Sequence, residues 1–169
     1  MEKNCNLLER AYASASRENC SGNNGIAFEI ACRAYTSKRA PEKLVLAPAG
    51  KVDARLTAGK KKVTIEYKTA CGNIAGAEKA QYIVYCPEVD MSIPVEKQAF
   101  VFSRADWIDF INNYPGRGKF LRYAKDGSIH IQSFYCPTRP KASKAIADYV
   151  WESCFEKPTL EVWVKELRG

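Results

Sequence analysis

Apolar and polar residues alternate twice in close succession between positions 51 and 68. Val52, Ala54 and Leu56 alternate with Asp53, Arg55 and Thr57, and Val63, Ile65 and Tyr67 alternate with Thr64, Glu66 and Lys68. A period of two predicts strands. It sets Glu66 and Lys68 on one face of their strand and Ile65 and Tyr67 on the other. Ala58-Gly59-Lys60 supplies the turn, because Gly59 tolerates the positive φ that a hairpin reversal uses. Pairing of the two strands brings Asp53 near Glu66, so that two carboxylates and an ammonium share one cluster.

The rest of the chain supplies helices and further strands around this hairpin. Leu7, Leu8, Ala11, Tyr12 and Ala15 have helical spacing and predict a helix over 4–18, which Cys20-Ser-Gly-Asn-Asn-Gly25 breaks. A second helix is expected over 25–35. In its Ile26-Ala-Phe-Glu-Ile-Ala-Cys32 stretch Glu29 is the sole polar side chain, which carries it toward the interior. A carboxylate there is costly unless paired or metal-bound. Arg33, four residues on, offers a plain helix-surface partner, so both readings of Glu29 stay open.

A polar loop over 36–42 and a short apolar run, Leu44-Val-Leu-Ala47, lead into the hairpin. Residues 70–79 read as a loop or short helix. Tyr82-Ile-Val-Tyr-Cys86 is a continuous apolar run ended by Pro87, as in a strand buried on both faces. Residues 88–97 read as a loop and Gln98-Ala-Phe-Val-Phe102 as the next buried strand. Ser103 then caps a helix running through Trp107, Ile108 and Ile111 to Asn113. Phe120-Leu-Arg-Tyr123 and Ile129-His-Ile-Gln132 flank Asp126-Gly127, a strong hairpin signal. A helix over 141–155, with Ala145, Ile146, Tyr149 and Val150 on one face, precedes an alternating run, Leu160-Glu-Val-Trp-Val-Lys165, that predicts a closing strand. There is no internal repeat or composition break. One α/β domain over 1–169 is expected.

Composition narrows the function classes. The 169 residues suffice for a real core, and 46% hydrophobic against 27% charged residues argues against wholesale disorder. No run approaches membrane-spanning length, and Met1-Glu-Lys-Asn-Cys-Asn6 lacks the basic-then-apolar order of an export signal. A soluble, cytoplasmic protein is expected. The seven cysteines are odd in number, widely spread and without a Cys-x-x-Cys pair, so free thiols are expected. The single histidine, His130, reads as a strand-face residue. A net charge of +7 favours an anionic partner, nucleic acid first.

Two hard oxygen donors beside a lysine suit a divalent metal working on a phosphate ester. The same Glu-x-Lys spacing also occurs as a solvated ion pair on exposed strands, and alone it does not separate the two. The order of the pieces adds information. A helix with Glu29, a strand with Asp53 and a strand with Glu66-Tyr67-Lys68, followed by buried strands and a helix, resembles the PD-(D/E)xK nuclease superfamily. The Gly22-Asn-Asn-Gly-Ile-Ala-Phe-Glu29 stretch looks like the helix start of its phage and mobile-element members. Val52 stands where the family often has proline. Gln81-x-x-x-Tyr85 matches an extra motif of RecB-like members but falls in an expected strand, and the iron–sulfur cysteines of some of those members are missing.

The resemblance implies a restriction-endonuclease-like fold: a mixed central sheet flanked by helices, with a core over about 22–113. Residues 114–169 would add a C-terminal hairpin, helix and strand. It implies Mg²⁺- or Mn²⁺-dependent hydrolysis of phosphodiester bonds in DNA, with Glu29, Asp53, Glu66 and Lys68 catalytic. Asp53, Glu66 and the Tyr67 main-chain carbonyl would hold the metal, with Glu29 helping directly or through a water, and Lys68 would position the attacking water. Lys60, Lys61, Lys62, Arg117 and Lys119 are candidate phosphate contacts, or else solvated turn charges. The alternative is a catalytically silent module on the same fold that binds nucleic acid or blocks a host protein. A junction resolvase working as a homodimer is a subset of the nuclease reading.

Overall fold

The computed structural model describes residues 21–39, 44–46, 52–58, 60–69, 76–90, 92–115, 121–123, 129–131 and 144–168. The expected helix over 4–18 lies outside these residues. Helix α1 (Ser21–Arg39) leads into β1 (Leu44–Leu46), β2 (Ala54–Ala58) and β3 (Lys61–Thr69). After a short 3₁₀ turn at Ala77–Lys79 come β4 (Tyr82–Cys86), the one-turn α2 (Val95–Gln98), β5 (Phe100–Ser103) and α3 (Arg104–Asn112). A small hairpin, β6 (Leu121–Tyr123) and β7 (Ile129–Ile131), precedes α4 (Lys144–Phe155) and α5 (Leu160–Arg168). His130 stands in β7, as its alternating surroundings suggest.

The first five strands form one mixed sheet in the order β1-β2-β3-β4-β5. β3 and β4 run parallel and every other neighbouring pair antiparallel. This is an α/β architecture. The β2–β3 register pairs Ala54 with Ile65 and Ala58 with Lys61, so the two strands form an antiparallel hairpin; Gly59, expected in the turn, lies outside the described residues. β4 sits between two neighbours, and Ile83, Val84, Tyr85 and Cys86 are all fully buried, as the unbroken apolar run requires.

Strand parity divides the core into two clusters, one on each side of the sheet. Ala54, Leu56, Val63, Ile65, Tyr67 and Val84 meet Phe28, Ala31, Cys32 and Tyr35 of α1 and Leu160, Trp163 and Val164 of α5. On the other side Ile83, Tyr85, Phe100 and Phe102 meet Trp107, Phe110 and Ile111 of α3 and Val150 and Cys154 of α4. The Phe110 and Tyr149 rings stack at 5.6 Å, and the Tyr149 hydroxyl donates to the Phe110 carbonyl at 2.6 Å, fixing α4 on α3. Ser103 caps α3 by accepting from the Asp106 N–H at 3.2 Å.

Several expectations are corrected. Ser21-Gly-Asn-Asn-Gly25 begins α1 instead of breaking the chain, and the helix runs through the expected loop to Arg39. Its buried stripe is narrower than the apolar run implied, and Ile26 is exposed. α2 forms a turn of helix inside the expected 88–97 loop and takes Gln98 out of β5. Ala145 is exposed, and the buried face of α4 is Ala147, Val150 and Cys154.

The closing strand is a helix. Alternation over Leu160, Val162 and Val164 lost to the longer spacing of Leu160, Trp163, Val164 and Leu167, which puts one stripe against the core and leaves Val162 exposed. Only the residues just before α5 behave like a strand. Pro158 accepts from the Val101 N–H and Leu160 donates to the Ala99 carbonyl, both at 2.9 Å, which covers the edge of β5.

Candidate active site

The site forms where β2 begins. Backbone pairing between β2 and β3 ends at Ala54 and Ile65, and beyond it side chains take over the ladder. The Tyr67 N–H donates to Asp53 Oδ2 at 2.9 Å, and the Asp53 N–H donates to Glu66 Oε1 at 3.1 Å. Each carboxylate is therefore held by the backbone of the other's strand. A strand residue's N–H and C=O point to the same edge. The Tyr67 carbonyl consequently faces the Asp53 side as well, at a level where β2 no longer offers a backbone partner.

Helix α1 delivers Glu29 to the same place. One Arg33 guanidinium nitrogen donates to Glu29 Oε1 at 2.7 Å and also to the Asp53 main-chain carbonyl. Glu29 thus makes the i,i+4 pair with Arg33 and also interacts with Asp53. The Arg33 link to Asp53 escaped the sequence reading, since helical spacing exposes an i,i+4 partner and carries no sign of a contact twenty residues away.

The electrostatics follow from crowding acids in a half-dry place. Burial, reinforced by the neighbouring Asp53 carboxylate, pushes Glu66 from 4.5 up to about 8, while the Lys68 ammonium pulls it down. Glu29 is raised as well, first by burial and then by Asp53, with Arg33 and Lys68 opposing. Lys68 therefore acts on both carboxyls at once. Glu29, Asp53 and Glu66 face Arg33 and Lys68, a formal surplus of one negative charge.

This surplus has a measurable consequence. A carboxyl whose folded pKa lies above its unfolded value takes up a proton on folding, so its stabilising contribution is present below the unfolded pKa and lost as pH rises. The metal-free protein should be most stable near and below pH 4.5 on this account and lose stability up to about pH 8. Thermal melts in EDTA between pH 5 and 8.5 test this. Glu66→Gln, which keeps an acceptor for the Asp53 N–H, should flatten the slope, and a variant as pH-dependent as the parent would refute the assignment.

Among the described residues no group of three or more His, Cys, Asp or Glu side chains is spaced to hold a metal ion. Asp53 and Glu66 are a pair, and Arg33 occupies one oxygen of Glu29. Two carboxylates and a carbonyl are nevertheless all-oxygen donors, which suits Mg²⁺, an ion that usually keeps several waters and needs one or two carboxylates.

The remaining candidates lie elsewhere. Lys60, Lys61 and Lys62 are exposed at the far end of the hairpin. Glu66 lies five residue steps along β3 from Lys61, about 17 Å at 3.4 Å per residue. Arg117 and Lys119 fall outside the described residues. Gln81 and Thr64 clamp the start of β4 to β3: Gln81 Oε1 accepts from the Thr64 N–H at 3.0 Å and Thr64 Oγ1 accepts from the Gln81 N–H at 2.9 Å. Gln81-x-x-x-Tyr85 is thus strand sequence, and Tyr85 is buried.

Cys32, Cys86 and Cys154 are free and buried, and burial pushes the Cys86 thiol up to about 12, which leaves it inert as a nucleophile. Among the described residues no helix is long and apolar enough to cross a membrane. Comparison of the chain with protein-family models, with curated proteins and with solved structures finds no match.

Proposed function

We propose that this protein is a divalent-metal-dependent nuclease of PD-(D/E)xK type, with a restriction-endonuclease-like fold, that hydrolyses phosphodiester bonds in DNA. The observation that carries the reading is the cross-strand bonding that holds the two carboxylates together, the Asp53 N–H donating to Glu66 and the Tyr67 N–H donating to Asp53, with Lys68 acting on the same group of acids. The mixed sheet, the helix bearing Glu29 and the net charge of +7 support it.

Asp53, Glu66 and the Tyr67 carbonyl would hold Mg²⁺ or Mn²⁺. When bound, the ion would polarise a phosphoryl oxygen and acidify a water. Lys68 would hold an attacking water in line and offset charge developing on the phosphoryl oxygens. Glu29, tied to Arg33 and set beside Asp53, would help orient a water at the carboxylate pair.

The test is direct. Purified protein is incubated with linear, circular, single-stranded and branched DNA in Mg²⁺, Mn²⁺ or EDTA. Cleavage of at least one substrate with metal and none in EDTA is expected. Undiminished cleavage in EDTA would overturn the metal assignment. Binding without cleavage under every condition would replace the enzyme with a catalytically silent nucleic-acid-binding module.

A further inference from the structure

The face of the sheet that carries Glu66 is divided sharply in two. On β4 and β5 it presents Ile83, Tyr85, Phe100 and Phe102, covered by α3 and α4. On β2 and β3 the same face presents Asp53, Arg55 and Thr57 beside Lys62, Thr64, Glu66 and Lys68, since Arg55 stands opposite Thr64 and Thr57 opposite Lys62. No apolar side chain occurs among these seven. Arg55 and Lys62 are exposed, as are Lys60 and Lys61 at the tip.

Charge gives the division a direction. Between α3 and α4 lies a cavity of about 370 Å³ whose lining includes Asp106, Asp109, Glu152 and Glu156 against the single cation Lys157. A polyanion leaving the site over α3 and α4 meets carboxylates. One leaving along the hairpin meets Arg55 and Lys62 on this face, and the exposed Lys60 and Lys61 where the hairpin ends, with no acidic side chain of β2 or β3 beyond Glu66. Thr64, held by Gln81, lines the path between the site and Lys62.

We infer that the DNA runs from the candidate site along the polar β2–β3 half of the sheet, over Arg55 and on to the lysine tip, and that Arg55 is a phosphate contact. The inference rests on the nuclease reading for its starting point. It fixes a one-sided footprint. Glu66 to Lys61 spans about 17 Å at 3.4 Å per residue. That is about five base-pair steps at 3.4 Å of axial rise. Arg55, opposite Thr64, lies only two strand residues from Glu66 and contacts the nearest part of that stretch.

The experiment measures DNA affinity against salt with Ca²⁺ in place of Mg²⁺, so that the strand stays uncut. Arg55→Ala, the Lys60→Ala/Lys61→Ala/Lys62→Ala triple variant and, as a control on the other half, Arg104→Ala are compared with the parent, with melting temperature confirming the fold. Each lost phosphate contact should reduce the slope of log affinity against log salt by about 0.9 on duplex, or about 0.7 on single strands. One unit of that size is expected for Arg55→Ala, up to three for the triple variant and none for Arg104→Ala.

Unchanged slopes or an equal loss in Arg104→Ala would overturn the path. Cleavage in Mg²⁺ is scored separately. A protein that cuts with unchanged slopes keeps the nuclease reading and loses the path. One that never cuts but shows the expected slopes keeps the path and loses the enzyme.

Discussion

Asp53→Asn and Glu66→Gln are each expected to abolish DNA cleavage while leaving the fold intact. The amides are chosen because both carboxylates also accept backbone hydrogen bonds, from the Tyr67 and Asp53 N–H groups respectively. Alanine would strand those donors, at a cost of about 1–3 kcal/mol each if they stay dry, and would blur loss of chemistry with loss of structure. An amide oxygen keeps the bond and removes the charge a metal needs. Lewis-acid stabilisation is worth several kcal/mol, and each 1.36 kcal/mol is tenfold in rate, so losses of at least about a thousandfold are expected.

Because Glu66 is raised by burial and then by the neighbouring Asp53 carboxylate, replacing either acid by its amide should leave the metal-free protein as stable as the parent or more so at neutral pH. Calorimetric titration with Mn²⁺ is the companion measurement. Parent-like affinity in both variants would remove the metal from this site.

Lys68→Ala should lower kcat by at least about a hundredfold, the scale of losing one preorganised electrostatic group. Strand parity sets Lys68 on the face of Glu66, and its ammonium acts on both Glu66 and Glu29. From there it meets charge that develops in the transition state, so ground-state binding of DNA and metal should change little. Arginine should not fully restore the rate, since a planar fork does not reproduce a compact point charge. Single-turnover cleavage at saturating Mg²⁺, beside DNA binding in Ca²⁺, separates the outcomes. A defect lying wholly in DNA affinity would make Lys68 one more phosphate contact.

The hairpin was legible because strand parity and turn chemistry are local. Val63, Ile65 and Tyr67 alternate with Thr64, Glu66 and Lys68, and the antiparallel register runs up to Ala58 opposite Lys61. Once the register follows from the turn, the approach of Asp53 to Glu66 follows too. The same local logic failed for α5, where six residues satisfied a strand period and a helical one, and the stripe completed by Leu167 decided the outcome. It also failed at the start of α1, where asparagine and glycine read as a break but lie within the helix.

The sequence by itself determined which face of β3 carries Glu66 and Lys68, because alternation is a property of the covalent backbone in extended form. It also determined that β4 is buried on both sides, since nothing polar interrupts Ile83-Val-Tyr-Cys86. Only the tertiary structure decided that Arg33 ties Glu29 to the Asp53 carbonyl, and that Glu66 is held well above an ordinary carboxylic acid. It alone decided that the polar half of the sheet face lies beside, and not beneath, α3 and α4. Desolvation and Coulomb interaction are sums over neighbours in space, and these neighbours come from α1, β2 and β3 together, so no window of sequence contains them.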